Sequence, residues 1–481
     1  MIKSIEFINY RNLNQKFKFD KTINIIFGNN NSGKTNLLDG IRLAFSTITN
    51  DYCKISKSDF KNSDDTIPIK IKVELDENTI PSLNFFDERS ELKCGFSVLI
   101  KKTQNGRYIR EVNLLNGSQV DYEILRDDIK LPNVYMIPLA RIEDIYTDGL
   151  VTGISKFIDS EEKYKTLRED SKKAIQEQIK SKKEKFQDFC KKFNQELDIQ
   201  LSEPKMSNEK VYIVDGDKEH NYRIGSGYKS IANIILNTLN ENYNIILIDE
   251  IENHLHPSLI RTLIRELRCV KNTIIIGTTH SPVVINELNL EELSCISGQK
   301  LCDITDTNKR KLNVFLHPGR GELMLATNVI LVEGYTEELL LKNYLHAKNY
   351  NWTIINVAGI MFEPYIELSV LLNKKTIVIS DNDKSLSNKL ERSERFNNLN
   401  NLCVEKKIKL LEVDNTLETD LYNNGFLKNC GELLKSHEKH SEIKIAKNNM
   451  KIKIAEKLIE DNVDLSEWHI IKDIINEFES N

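Results

Sequence analysis

The sequence predicts an α/β protein with two parallel-sheet units in succession, the first interrupted by a charged helical insert. Three observations carry this. Short apolar strands such as "INIIFG" (Ile23–Gly28), "NIILIDE" (Asn244–Glu250) and "NTIIIGTTH" (Asn272–His280) end abruptly in glycine, acid or histidine, as buried parallel strands do. The stretch from Asn328 to Asp383 reads strand, helix, strand, helix, strand, which implies a compact parallel sheet with crossover helices. Between them, "KFIDSEEKYKTLREDSKKAIQEQIKSKKEKFQDFCKKFNQE" is charged, glycine-free and helical in texture. The boundaries that follow are a first unit in two parts, 1–154 and 205–300, around an insert at 155–204. A connector at 301–325 and a second unit at 326–481 complete the chain, its last stretch helical and charged.

At 481 residues the chain exceeds one ordinary core. Its 40% hydrophobic and 29% charged residues describe a globular protein rather than a disordered one. No apolar run approaches the roughly 20 residues needed to span a bilayer, so no membrane partner is expected. The eight cysteines are scattered without a C-x-x-C pair, which argues against a zinc ribbon or disulfide framework and for a cytoplasmic location. A net charge of −5 excludes a uniformly basic nucleic-acid coat but leaves room for local basic surface.

"GNNNSGKT" places Gly28, Asn29, Asn30, Asn31, Ser32, Gly33, Lys34 and Thr35 between a strand and a helix. Backbone N–H groups of such a loop and the helix N-terminus favour phosphate oxygens. Lys34 would reach the β- and γ-phosphates and Thr35 would ligate Mg²⁺, so the expected cofactor is ATP with magnesium. Downstream, Asp249 and Glu250 end a strand where an aspartate would hold the ion and a glutamate would polarise the attacking water. His280 ends the next strand, where it could sense the γ-phosphate. "GSGYKS", containing Ser226 and Gly227, opens a helix shortly before Asp249.

A second constellation lies in the last third. "VILVEGYTEELLL" runs from an apolar strand into Glu333, with Glu337 and Glu338 on the helix behind. A carboxylate at a buried strand end either caps and solvates that end or holds a metal. "IVISDNDK" repeats the design with Asp381 and Asp383, which alternate along an extended segment and can share a face. The three acids would meet at the carboxyl ends of neighbouring parallel strands, where open α/β sheets place their sites. Crowded carboxylates without a cation repel one another, and hard ions such as Mg²⁺ or Mn²⁺ suit the set. Glu337 and Glu338 can equally be a charged first helical turn favoured by the helix dipole.

The order of motifs over residues 1–300 resembles ABC-type ATPase heads of the SMC and RecF class. The resemblance implies that Ser226 and Gly227 belong to a signature helix completing the ATP site of a second copy, hence a homodimer clamped by ATP. "DEIENHLHP" departs from that pattern at Ile251, where proline is usual. "VEG" followed by "DND" resembles a Toprim domain. "VEGYTEELLL", "NVAGIMFEPYIELSVLL" and "NTLETDLYNN" are similar to the OLD (overcoming lysogenization defect) nucleases, including the nuclease subunit of Gabija-type anti-phage systems. The fold so implied is an ABC-type head with a helical dimerisation insert, followed by a Rossmann-like Toprim domain.

Carried over by position, that resemblance makes Glu333, Glu337, Asp381, Asp383 and Glu418 the ligands of two divalent ions. Lys451 in "MKIKIAEKL" becomes the basic residue at the scissile phosphate, although Ile452 replaces a family glycine and Lys453 competes for the role. The implied function is ATP-regulated, metal-dependent cleavage of DNA in anti-phage defence, with a helicase companion allowed. The alternative is an ATP-driven DNA-binding clamp or sensor whose Toprim unit docks a partner.

Overall fold

Alternating exposure marks one class of strand in this protein and continuous burial the other. In "IKIKVEL" every second residue is buried, whereas all residues of "INIIF" and "IILI" are. Alternation suits an antiparallel sheet with one face in the core; continuous burial suits a parallel sheet covered on both faces. The computed structural model bears this out. It describes residues 2–19, 21–45, 55–76, 95–115, 134–137, 184, 187–188, 191–193, 197–201, 211–215, 226–238, 243–297, 306–314, 319–359, 362–384, 393–427 and 448–479. The chain divides into two units, Met1–Lys300 and Leu301–Asn481.

The first unit begins with strands β1 (Ile2–Ile8), β2 (Lys16–Lys18) and β3 (Ile23–Phe27), then helix α1 (Lys34–Phe45). Strands β4 (Ile69–Leu75), β5 (Gly95–Lys102), β6 (Tyr108–Leu114) and β7 (Val134–Ile137) follow. A hairpin of β8 (Leu197–Leu201) and β9 (Val211–Asp215) precedes helix α2 (Ser226–Thr238). The unit closes with β10 (Ile245–Ile248), α3 (Pro257–Leu267), β11 (Ile274–Thr279), α4 (Pro282–Glu287) and β12 (Leu293–Cys295).

These strands form an antiparallel sheet of order β2-β1-β4-β5-β6 and a parallel sheet of order β12-β3-β11-β10-β7. One core joins the two, with Leu37, Leu38 and Ile41 of α1 packed among Ile26, Ile276 and Ile71. The order places β3, β11 and β10 side by side, so the segments after them emerge at one end of the sheet.

The second unit contains helices α5 (Asp306–Val314) and α6 (Gly319–Leu325), then β13 (Asn328–Val332), α7 (Tyr335–Ala347), β14 (Thr353–Asn356), α8 (Phe362–Leu371) and β15 (Lys375–Asp381). Next come α9 (Glu394–Lys406), β16 (Lys409–Val413), α10 (Leu417–Asn423), α11 (Asn448–Glu460) and α12 (His469–Glu479). Its sheet is entirely parallel, of order β14-β13-β15-β16. Ile471 and Ile474 of α12 and Leu458 of α11 enter the same core as Ile330, Ile377 and Leu411 of the sheet.

Two expectations change. Residues 301–325 are not a bare connector: α5 and α6 occupy much of the stretch and pack within the second unit, with the Arg320 guanidinium fully buried and donating to the Leu312 carbonyl at 2.9 Å. The insert predicted at 155–204 lies mostly outside the described residues. Its end is not helical, because "LDIQL" alternates apolar and polar residues and pairs as β8 with β9. Among the described residues no helix is long and apolar enough to cross a membrane.

Candidate functional site

The loop after β3 is folded around its own lysine. Lys34 is buried, and its ammonium donates to the carbonyls of Gly28 at 2.9 Å and Asn29 at 2.8 Å. Burial pushes it below its usual lysine value against the opposing pull of Glu250, Asp249 and Glu252. Two loop residues need left-handed backbone, Asn31 at φ 61° and Gly33 at φ 102°. A side chain at Gly33 would also collide with the Asn12 amide, whose Nδ2 donates to the Ser32 carbonyl at 2.9 Å.

The neighbouring strand ends supply acids. The Thr35 hydroxyl donates to Asp249 Oδ2 at 2.8 Å, and Asp249 Oδ1 accepts from Thr278. Glu250 turns out of the strand at φ 48°, its N–H bonded to Thr278 Oγ1 at 2.8 Å. His280 Nδ1 lies 3.8 Å from Glu250 Oε1 and 3.3 Å from Glu252 Oε1. Lys34, Thr35, Asp249, Glu250 and His280 are therefore gathered at the carboxyl ends of β3, β10 and β11.

Gly227 in α2 packs on the His254 carbonyl of its own chain, 2.6 Å from where a Cβ would stand, so only glycine fits there. His256 caps α3 by accepting from Ser258 N, which gives that histidine a structural role.

Three contributors escaped the sequence reading. Glu252 accepts from Thr279 Oγ1 and His280 N, each at 2.8 Å. Arg11, at φ 46°, donates to Asp59, Asn36 and Asp39 at 2.7–2.9 Å. Asn12 braces the phosphate-type loop from outside it. The third acid of "DEIENHLHP" was a visible signal for Glu252; Arg11 and Asn12 carry none without the fold.

In the second unit Glu333 follows β13, and Asp381 is the last residue of β15, one strand over. The extended alternation expected to align Asp381 with Asp383 does not hold. Strand β15 ends at Asp381, and Asp383 is left-handed at φ 49°. Asn382 sets this turn: it is fully buried, its amide bonds Glu412 Oε1 at 2.8 Å, and its Oδ1 accepts from Asn415 N at 2.8 Å.

Asp383 reaches Glu333 through Arg395. The guanidinium donates to Glu333 Oε1 at 2.8 Å, to Glu333 Oε2 at 2.9 Å and to Asp383 Oδ2 at 2.9 Å. Hydrogen bonding to Glu333, reinforced by Asp383, holds Arg395 above its usual value despite partial burial.

The five acids assigned as ligands are consequently not gathered as five. Among the described residues, no three His, Cys, Asp or Glu side chains are grouped closely enough to hold an ion, and an arginine lies between Glu333 and Asp383. Glu337 sits in the first turn of α7 beside Gly334, and Glu418 is buried in the first turn of α10. Glu338 pairs instead with Lys342 one turn on, at 2.6 Å. The backbone of Lys451 lies in α11, while its side chain is outside the described residues.

The donor chemistry nonetheless fits a hard divalent cation: Glu333 and Asp383 converge within 2.9 Å of one positive group, and all the acids offer oxygen. In the first unit the Thr35–Asp249 pair offers the hydroxyl and carboxylate that a nucleotide-bound magnesium uses.

Comparison with known proteins adds family to geometry. The profile of the AAA ATPase domain matches residues 1–122 and 125–285. That of the overcoming lysogenization defect protein-like TOPRIM domain matches residues 324–383. No curated protein matches the chain.

Among solved structures, an SMC head bound to the C-winged helix domain of ScpA is 16% identical, with a TM-score of 0.46, over 60% of this chain and 92% of that one. An SMC head domain from Thermotoga maritima is 15% identical over 61% and 94%, with a TM-score of 0.35. The recombination mediator RecF with bound nucleotide is 16% identical over 59% and 94%, with a TM-score of 0.37. The chain belongs to the AAA ATPase domain family and carries an OLD-like Toprim domain behind that ATPase, the architecture of an ATP-hydrolysing nuclease.

Proposed function

We propose that the protein is an endonuclease that nicks or cleaves DNA in its Toprim unit under control of ATP bound by the first unit. The observation that best supports this is the convergence of Glu333 and Asp383, just beyond the ends of adjacent parallel strands, on one cationic group. Divalent ions bound there supply charge for the phosphoryl transition state and acidity for a water. Glu333, Asp381 and Asp383 would hold the first ion, and Glu337 with Glu418 would help hold a second. Lys451 would neutralise the scissile phosphate.

In the ATPase unit Lys34 would bind the terminal phosphates, Thr35 and Asp249 the magnesium, and Glu250 would orient the attacking water. His280 would contact the γ-phosphate. Ser226 and Gly227 would complete the site of a second copy, so that ATP closes a homodimer. Likeness to OLD and Gabija nucleases supports an anti-phage role, with or without a helicase companion.

Plasmid nicking with Mg²⁺ or Mn²⁺, across a titration of ATP, tests the reading. Cleavage that needs a divalent ion and responds to ATP is expected, and the titration reads whether ATP restrains or releases it. ATP and DNA must then alter each other's affinity reciprocally. Absence of cleavage in every condition would favour the ATP-driven clamp whose Toprim unit docks a partner. Identical cleavage at every ATP level would leave a nuclease merely tethered to an ATPase.

A further inference from the structure

Arg395 takes both oxygens of Glu333 in a fork and spans to Asp383, with Nη1 also donating to the Gly359 carbonyl at 3.1 Å. A bidentate fork uses the same carboxylate lone pairs that a chelated cation needs. The backbone beneath it is fixed. Ser393 caps α9 by accepting from Phe396 N at 3.2 Å, donates its own N–H to the Asn382 carbonyl at 3.0 Å, and Phe396 is buried. The Arg395 side chain is 36% exposed and forms part of the wall of a cavity of about 340 Å³. That cavity is also lined by Phe362, Leu399 and Leu402 with Asn398 and Glu363, so it offers room, an amide and a carboxylate that also faces Lys311 at 3.7 Å.

We infer that Arg395 is a built-in counter-ion that competes with a divalent cation for Glu333 and Asp383 and swings towards the cavity when the cation binds. The inference rests on the proposed metal-dependent reading. Without an ion, three carboxylates at neighbouring strand ends would repel one another, and a guanidinium holds two of them in place. With an ion, the same guanidinium faces a like charge while its fork partners are claimed, and the cavity, with the Asn398 amide and the Glu363 carboxylate shared with Lys311, becomes the better surrounding. The acidic site is then assembled before its metal arrives, at the cost of weaker metal binding. Removing the guanidinium should tighten that binding.

The test is Mn²⁺ binding to the full-length chain without nucleotide, read by the electron paramagnetic resonance of free Mn²⁺, with Glu333→Ala identifying the signal from this site. Arg395→Gln is expected to bind Mn²⁺ more tightly than wild type, by roughly tenfold. Arg395→Lys, which keeps the charge but not the fork, should fall between them. The melting temperature of Arg395→Gln should drop without metal and rise further than wild type when Mn²⁺ is added. Equal or weaker Mn²⁺ binding by Arg395→Gln would overturn the inference and make Arg395 an orienting partner of the ligands. Should that variant not fold, Arg395→Lys decides by the same sign. Failure of wild type to bind Mn²⁺ through Glu333 would sink the metal-dependent reading itself, a different outcome from wild type and variant binding equally.

Discussion

Glu252 holds His280 from two directions: its Oε1 accepts from the histidine backbone N–H at 2.8 Å and lies 3.3 Å from Nδ1. Its other oxygen accepts from Thr279 Oγ1 at 2.8 Å. The turn after β10 is thereby tied to the end of β11. Glu252→Ala should leave ATP binding intact, because no phosphate-loop contact is lost, but let His280 drift. A fall in kcat for ATP hydrolysis of roughly tenfold, with KM little changed, is expected. Unchanged kcat would show that His280 needs no anchor.

Lys34 and Glu250 should separate binding from hydrolysis. Lys34→Ala removes the ammonium that now bridges the Gly28 and Asn29 carbonyls, and ATP binding measured by calorimetry should vanish. Glu250→Gln keeps shape and loses charge, so binding should persist while hydrolysis slows. A Gln variant that turns over ATP at the wild-type rate would mean another residue orients the water.

Glu333→Ala and Asp381→Ala should abolish plasmid nicking while ATP binding stays as in wild type, since these residues lie in the second unit. Wild-type nicking by either variant in Mn²⁺ would refute their assignment as ligands.

Tyr365 links stability to alkaline pH. Burial pushes its hydroxyl up to about 12 from an ordinary value of 10.0. The unfolded chain therefore loses this proton first as pH rises, and native stability falls between those two values. Denaturant unfolding of wild type should show that loss, on the order of 2–3 kcal/mol. Tyr365→Phe has no proton to lose and should remove this part of the decline. A variant curve parallel to wild type from pH 9 to 12 would assign the decline to other groups.

Much of this was legible in the chain because strands buried on both faces, such as "INIIF" and "IILI", are written as apolar runs, broken only by Asn24, whose ends are abrupt. Gly28–Thr35, Asp249 and Glu333 stand at those ends, where the phosphate-loop spacing and the strand-end acids made them visible. The antiparallel sheet was less legible, since its strands alternate and their order β2-β1-β4-β5-β6 depends on pairings far along the chain. Arg395 was missed for a related reason. It sits near the start of a charged helix, where "SERF" reads as capping and solvated surface, and nothing local shows that β13 and β15 bring Glu333 and Asp383 to it. Asp383 was found by an argument about extended alternation that its left-handed backbone does not satisfy. Its place beside Glu333 comes from a turn set by Asn382, not from a strand.

The order β12-β3-β11-β10-β7 also bears on how the protein is made. Strand β3 leaves the ribosome long before its hydrogen-bonding partners, which begin at Ile274 and Leu293. At roughly 5–20 residues per second, the fully buried segment Ile23–Phe27, apolar but for Asn24, waits on the order of ten seconds or more for its neighbours. Throughout that interval it is an unpaired edge on a nascent chain, the kind of surface that chaperones hold and that aggregates when they are scarce. Slower translation would lengthen the exposure, so yield in a heterologous host should depend more on holding capacity during synthesis than on the stability of the finished fold.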